Sequence, residues 1–372
     1  MPSNLNPPVS TGKKIAIVAD GLVVYAGTEK VALFLSDIYP EAPIYTSVYL
    51  PENTFPEFKN KKIITMPLAS RVINDRQYKR LFPWWYLNFS LLDLKEFDII
   101  ISVSSFLAKY INPPRGVPHI CCLMNPFRLL WKPFEYYGQT SFYGRQFMGV
   151  IQMLIPLARK VDIVKTRRIQ YVIANSQNTA NQIRNAYSIE PDVVYPPIDI
   201  DQFSITGTPE DFYLYAGRLS SHKRVDLAIH ACNQLKRELV VAGDGLERTA
   251  LEKLGGETVK FVGSVSDKCL KQLYSNCRAL LFPSDEDFGL VPVEVQASGR
   301  PVIAYRSGGA LETVIENKTG IFFDYQDVDS LCTAILHFET TDFNPELIRE
   351  NALRFGQDIF ADKIRAYVER FG

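Results

Sequence analysis

Short runs rich in β-formers alternate with longer stretches of helical periodicity along this chain, and that alternation limits the fold more than any other feature. The first series reads KKIAIVAD, PIYTSVYL, KKIITM, FDIIISVS, HICCLM, YVIANS and DVVYPP. Strands separated by helices build parallel sheets, because a parallel neighbour can be reached only by a long crossover. Around 196–211 the pattern gives way to PPIDIDQFSITGTPED, which has the composition of a linker and no apolar period. A second series follows: FYLYAGR, ELVVAGDG, VKFVGSV, ALLFPS, PVIAY and GIFFD. The expected fold class is α/β, with two facing Rossmann-like doubly wound domains and an interdomain cleft for a shared ligand.

Composition agrees with two domains: 372 residues, 47% of them hydrophobic, supply enough apolar material for two cores. Lys plus Arg (41) balance Asp plus Glu (41), so no overall field would recruit nucleic acid. The six cysteines form no CxxC pair and have no histidine at ligand spacing. Neither a zinc site nor a disulfide framework is indicated, and the cysteines read as reduced core residues. MPSNLNPPVSTGKK lacks the apolar core of a signal peptide, and the run FMGVIQMLIPLA at 147–158 is too short to span a bilayer. A soluble, cytoplasmic protein is expected, with surface attachment to a membrane left open.

The strand FYLYAGR is followed by LSSHKRVDLAIHACNQL, where Ser220 or Ser221 is placed to cap a helix carrying Lys223 and Arg224 in its first turn. Cations there oppose the helix dipole by about 0.3–1 kcal/mol each. A bound anion explains them, since Arg218, Lys223 and helix N–H groups together form a diphosphate site. A solvated basic turn is the alternative. Glycine-bearing turns follow three other strands: Tyr25-Ala26-Gly27-Thr28-Glu29, Gly243-Asp244-Gly245 and Ser307-Gly308-Gly309. Each lets backbone approach a phosphate or sugar, or simply makes a tight βα turn. GxGxxG and GxxxxGK[ST] are both absent, which argues against a dehydrogenase or a P-loop nucleotidase.

The stretch FPSDEDFGLVPVEVQASGRP places Glu286 on a loop and Glu294 about one turn into a short helix, with Pro292 in the first turn and Gly299 as the stop. The N–H groups of Phe288, Gly289 and Leu290 lie between the two acids. Acceptors flanking a row of donors suit a polyhydroxylated ligand with a charged bridge. The plainer alternatives are a solvated loop acid at 286 and, at 294, an ion pair with Arg300 or a neighbouring helix.

The Glu286-x7-Glu294 spacing in EDFGLVPVE, set among GRLSSHKRVDLAI, VAGDG, FVGSVSD and RSGGALETV, resembles the donor-binding domain of family 4 retaining glycosyltransferases of the GT-B fold. AGTEKVALFLSDIYPEAPIYTSVY, FDIIISVSSFLAK, IANSQNTANQIRNAYS and VVYPPIDIDQF extend the resemblance over nearly the whole chain, nearest to the branch of bacterial O-antigen mannosyltransferases. It implies an acceptor-side domain over 1–200 and a nucleotide-sugar domain over 201–350, with 351–372 a helix returning to the first. The implied activity is transfer of a hexose, mannose by the branch, from a nucleoside-diphosphate sugar to a glycan or lipid-linked glycan, with retention, in cell-surface polysaccharide biosynthesis.

By the same resemblance Glu286, Arg218 and Lys223 form the catalytic set, with the two cations on the diphosphate and Glu286 on the donor sugar. Glu294 would hold the ribose, and Phe288, Gly289 and Leu290 would line the donor site. Backbone near Val262 and Gly263 would receive the base, and Gly27 would close over the phosphate. No cofactor or metal is implied; Asp285-Glu286-Asp287 imitates a DxD motif that belongs to another fold. The branch's His-Thr-Pro segment is replaced here by Met124-Asn125-Pro126, followed by Arg128 and Trp131, so Met124, Asn125 and Arg128 mark an altered acceptor or sugar pocket. Two further stretches, 80–94 and 142–169, mix apolar residues with Arg159, Lys160, Lys165, Arg167 and Arg168. They suit a lipid-linked acceptor and peripheral contact at the inner face of a membrane, or are core helices with solvated charges. Two other functions share the architecture. A nucleotide-sugar 2-epimerase would need acid/base groups that His119, His222, His230 and His337 do not cluster to provide. A non-catalytic binding partner would not need to retain Arg218, Lys223, Glu286 and Glu294 together.

Overall fold

A computed structural model describes residues 12–131 and 148–371; residues 1–11 and 142–147 of the stretches read above lie outside them. The chain divides into two compact units. Unit 1 runs through Pro197 and resumes at Asp358, and unit 2 is Ile198–Gln357.

Among the described residues, unit 1 holds a sheet of β1 (Ile15–Ala19), β2 (Ile44–Thr46), β3 (Ile63–Thr65), β4 (Ile99–Ser104), β5 (His119–Leu123), β6 (Tyr171–Ala174) and β7 (Asp192–Val193). Its order is β3-β2-β1-β4-β5-β6-β7, every pairing parallel. β1 and β4 are buried along their whole length, as their unbroken apolar runs require of central parallel strands. The helix Gly27–Ile38 packs Val31, Leu35 and Ile38 into the same core. So does the helix Gln357–Glu369, through Phe360, Ile364 and Val368. Phe360 meets Phe34 edge to face at 5.6 Å, and the Tyr367 hydroxyl donates to Asp192.

Unit 2 repeats the plan with β8 (Tyr213–Ala216), β9 (Leu239–Ala242), β10 (Val259–Gly263), β11 (Ala279–Phe282), β12 (Val302–Tyr305) and β13 (Gly320–Phe323), in the order β10-β9-β8-β11-β12-β13, again all parallel. Both units are the Rossmann-like α/β domains expected from the alternating pattern, and each described strand falls inside one of the runs read from the sequence. In each, the chain builds outward from a first strand and then returns to that strand's other side. The loops after β1 and β4, and those after β8 and β11, therefore diverge over a crevice at the carboxyl ends of the strands. Ligands of doubly wound sheets bind at such a switch point.

The six cysteines are free thiols, all buried except Cys269. Burial pushes the Cys121, Cys232 and Cys277 thiols up to about 12, which keeps them protonated and inert.

Candidate functional site

The unit 2 switch point is built from the β8 and β11 loops. After β8, Ser221–Lys223 make one 3₁₀ turn, Arg224 takes left-handed backbone at φ +50°, and the α-helix begins only at Val225. The expected cap is thus corrected: neither serine side chain caps the helix, and Lys223 and Arg224 precede its first turn. Asp226 is the charge in that turn, and Arg224 folds back onto it at 3.1 Å. Arg224 also reaches the Gln326 side chain at 3.2 Å, and Gln326 donates to the Pro283 carbonyl at 2.8 Å. Arg224 is therefore a brace between loops, and nothing local in the sequence marks its partner 102 residues away.

Lys223 turns toward the β11 loop, where its Nζ pairs with Glu286 Oε1; the Ser284 hydroxyl donates to the same oxygen at 3.0 Å. The two charged side chains are 19% and 25% exposed. A pair this wet contributes roughly 1 kcal/mol or less, so a ligand anion can compete for Lys223. Glu286 is neither a free loop acid nor fully enclosed. Arg218, just past β8, is exposed, and its carbonyl accepts the Tyr215 hydroxyl at 3.2 Å. Burial, with Glu286 nearby, pushes the Tyr215 phenol up.

Two of the three glycine turns, those at Gly243–Gly245 and Gly308–Gly309, serve loop against loop. A Cβ at Gly308 would overlap the Glu286 carbonyl oxygen, and one at Gly309 would overlap Phe288 backbone. The Gly309 N–H donates to the Glu286 carbonyl at 2.8 Å. Gly243 and Gly245 approach Gly217 and Leu219 in the same way, with Leu219 N–H donating to the Asp244 carbonyl at 2.9 Å. The close approach that the sequence left open between ligand and turn is made here to neighbouring backbone. It locks the rim on which Arg218 and Glu286 sit. Val262 and Gly263 end β10, and the Gly263 carbonyl accepts the Gly243 N–H at 2.8 Å.

Beyond Glu286, Phe288 is buried against Phe355 at 5.5 Å between ring centroids. Gly289 has φ +86°, left-handed backbone that turns the chain into the helix Leu290–Ala297. The first N–H groups of that helix have no acceptor within it, and Leu290 is its first residue. Glu294 is half-buried one turn on and accepts the Tyr274 hydroxyl at 3.2 Å. Burial and then Glu294 push that phenol up. Arg300, the sequence's alternative partner for Glu294, is buried and donates to the carbonyls of Ser275, Thr206 and Gly207.

Gly27, Met124, Asn125 and Arg128 lie in unit 1. Gly27 opens the helix after β1. Met124 and Asn125 follow β5, Met124 with its side chain in the core cluster and Asn125 buried with its Oδ1 lacking a hydrogen-bond partner. Arg128 is exposed at the start of the short helix Arg128–Trp131. Two acids organise this end of the unit, and sequence reading passed over both. Asp20, just after β1, accepts N–H groups from Ser105, Phe106, Leu107 and Ala108 at 2.6–2.7 Å. Asp162, buried in the helix Met148–Thr166, receives Lys109 Nζ at 2.6 Å, the Tyr110 and Tyr187 hydroxyls at 2.7 and 2.9 Å, and Trp131 Nε1 at 2.7 Å. Burial drives the Asp162 carboxyl up, but Lys109 and these donors outweigh it and hold the group below the usual carboxylate range. The network anchors the end of the 124–131 segment.

Residues 199–355 match the family model for glycosyl transferases group 1. The chain is 27% identical over 256 residues to alpha-1,3/1,6-mannosyltransferase ALG2 of Candida glabrata, covering 52% of this chain and 56% of that protein. It is 30% identical over 224 residues to D-inositol 3-phosphate glycosyltransferase 2 of Catenulispora acidiphila, covering 50% and 52%. The chain thus spans about half the length of these curated relatives. Among solved structures it shares its fold with sucrose-phosphate synthase of Thermosynechococcus elongatus, at TM-score 0.74 and 18% identity over 96% of this chain and 99% of that one. HepE of Anabaena, in complex with UDP-glucose, matches at TM-score 0.68 and 19% identity over 96% and 100%.

Proposed function

We infer that this protein transfers a hexose from a nucleoside-diphosphate sugar to a glycan or lipid-linked glycan, with retention at the anomeric carbon, a reading supported by the match of residues 199–355 to the family model for glycosyl transferases group 1. The observation that carries the reading is the meeting of Lys223 with Glu286 at the unit 2 switch point, beside exposed Arg218 and the open N-terminus of the helix Leu290–Ala297. The cations and amides would take the charge that develops on the leaving diphosphate, a role a divalent ion plays elsewhere. Glu286 would orient the sugar as its bond breaks, and Glu294, steadied by Tyr274, would hold the ribose. Val262 and Gly263 would face the base. The mannosyltransferase named among the relatives supports mannose as the sugar, and the UDP-glucose complex supports a nucleotide-sugar donor. Cell-surface polysaccharide biosynthesis is the setting proposed.

The test is a thermal-shift panel of nucleoside diphosphates followed by turnover of the matching sugar donors with glycan and lipid-linked acceptors. A stabilising diphosphate whose sugar nucleotide is consumed is the expected result. Stabilisation by none of them, with no donor consumed, would refute the reading.

A further inference from the structure

The helix Met148–Thr166 has its polarity reversed. Its inward side buries Asp162 and Thr166 together with Ile155, while its solvent side carries Met153, Leu154, Leu157, Val161 and Val164, with Met153 77% and Leu157 63% exposed. At 100° per residue, Met153, Leu157 and Val164 fall on one line, Leu154 and Val161 beside it, and the buried group lies on the far side. Scattered exposed leucines need no explanation, but five large apolar groups on one helix face do. Lys160 is exposed within the stripe, and Arg167 and Arg168 are exposed just past its end. From 148 to 171 the sole acid is Asp162, which is buried against Lys109. The solvent face is therefore apolar and purely cationic.

A second exposed apolar face stands alongside. The helix Phe82–Ser90 and the turn after it expose Leu87 and Leu91, the latter 72% exposed, and partly expose Trp84. The two helices are tied at one end: Asn112 donates to the Ser90 carbonyl at 2.6 Å and accepts from Lys165 Nζ at 2.9 Å. None of the described helices is long and apolar enough to cross a membrane.

We propose that unit 1 docks peripherally on an anionic lipid bilayer through the outer face of the helix Met148–Thr166, extended by Leu87 and Leu91, with Lys160, Arg167 and Arg168 meeting lipid phosphates. Aliphatic groups entering the acyl boundary beside cations at the headgroups are what an interfacial helix needs. The same helix holds Trp131 through Asp162 on its inner side, so docking would bring the 124–131 segment to a lipid-held acceptor. Only that last consequence rests on the transferase reading; bilayer binding is tested without turnover.

The experiment is co-sedimentation of the full chain with phosphatidylcholine vesicles, with and without phosphatidylglycerol. The wild type is expected to pellet only with the anionic vesicles. Lys160→Glu with Arg168→Glu should lower the partition coefficient about tenfold or more, and Leu154→Ser with Leu157→Ser should lower it similarly. All four positions are exposed, so melting temperatures should not move, and a variant that does melt early is replaced by Lys160→Gln with Arg168→Gln. Failure of the wild type to pellet would overturn the proposal, as would equal binding by all variants. Self-association that these substitutions dissolve, without vesicle binding, would assign the face to a second copy of the chain instead.

Discussion

Replacing Glu286 with Gln removes one charge from the Lys223 pair while keeping an acceptor for Ser284. Because both partners are partly exposed, unliganded stability should fall by about 1 kcal/mol or less. Binding should change in the opposite sense. With a diphosphate on Lys223, the Glu286 carboxylate becomes a like charge beside it and a competitor for the ammonium. At a separation of about 6 Å and an effective dielectric of about 40, each unit of phosphate charge is repelled by roughly 1–2 kcal/mol. Glu286→Gln should therefore tighten nucleoside diphosphate binding by roughly 5- to 30-fold. It should also lower donor turnover, since the carboxylate no longer orients the sugar. Calorimetry of the free nucleotide and initial rates with the sugar nucleotide separate the two effects. Unchanged or weaker nucleotide binding, with turnover intact, would refute a diphosphate seated on Lys223.

Three further outcomes are expected. Lys223→Ala should abolish thermal stabilisation by any nucleoside diphosphate and leave the unliganded melting temperature within a degree or two, because the lost pair is worth about 1 kcal/mol at most. Gly309→Ala should destabilise unit 2 by about 2 kcal/mol or more, since the new methyl meets Phe288 backbone that has no room to yield; chemical denaturation reads it. Asp162→Asn leaves Lys109 charged and buried without its counter-ion, at a loss of about 3–5 kcal/mol. Because the folded carboxyl of Asp162 is held below its ordinary value, the stability it contributes is present above the unfolded pKa. That stability is lost as pH falls through the folded one. Acid unfolding profiles should show this loss in the wild type and not in the variant.

The strands were legible because each is a short, nearly continuous apolar run between turn residues, the pattern a strand covered on both faces must have. The βα loops carrying Arg218 and Glu286 were legible for a related reason, as each directly follows such a run, with Glu294 in the helix that the second loop leads into. What escaped were arrangements fixed by distant partners. Ser220 and Ser221 gave a local capping signal, yet the helix starts later because Arg224 is held to Asp226 and Gln326. Nothing around Asp20 marks it as the acceptor for amides 85–88 residues away, and Asp162 reads as one acid in a basic helix until Lys109 and Trp131 are packed on it. Gly243, Gly245, Gly308 and Gly309 are places of close approach, as their turns suggested, but sequence cannot say what approaches.

Unit 1 is discontinuous: its core takes Phe360, Ile364 and Val368 from the helix Gln357–Glu369, after all of unit 2 has intervened. During synthesis, unit 2 can therefore fold as an unbroken segment while unit 1 waits with part of its core uncovered. That wait lasts until residues 358–371 have left the ribosome, reversing the usual order in which the earlier domain finishes first. A premature stop only a few codons before that helix would spare every residue of the unit 2 rim and still leave a protein with an open N-terminal core.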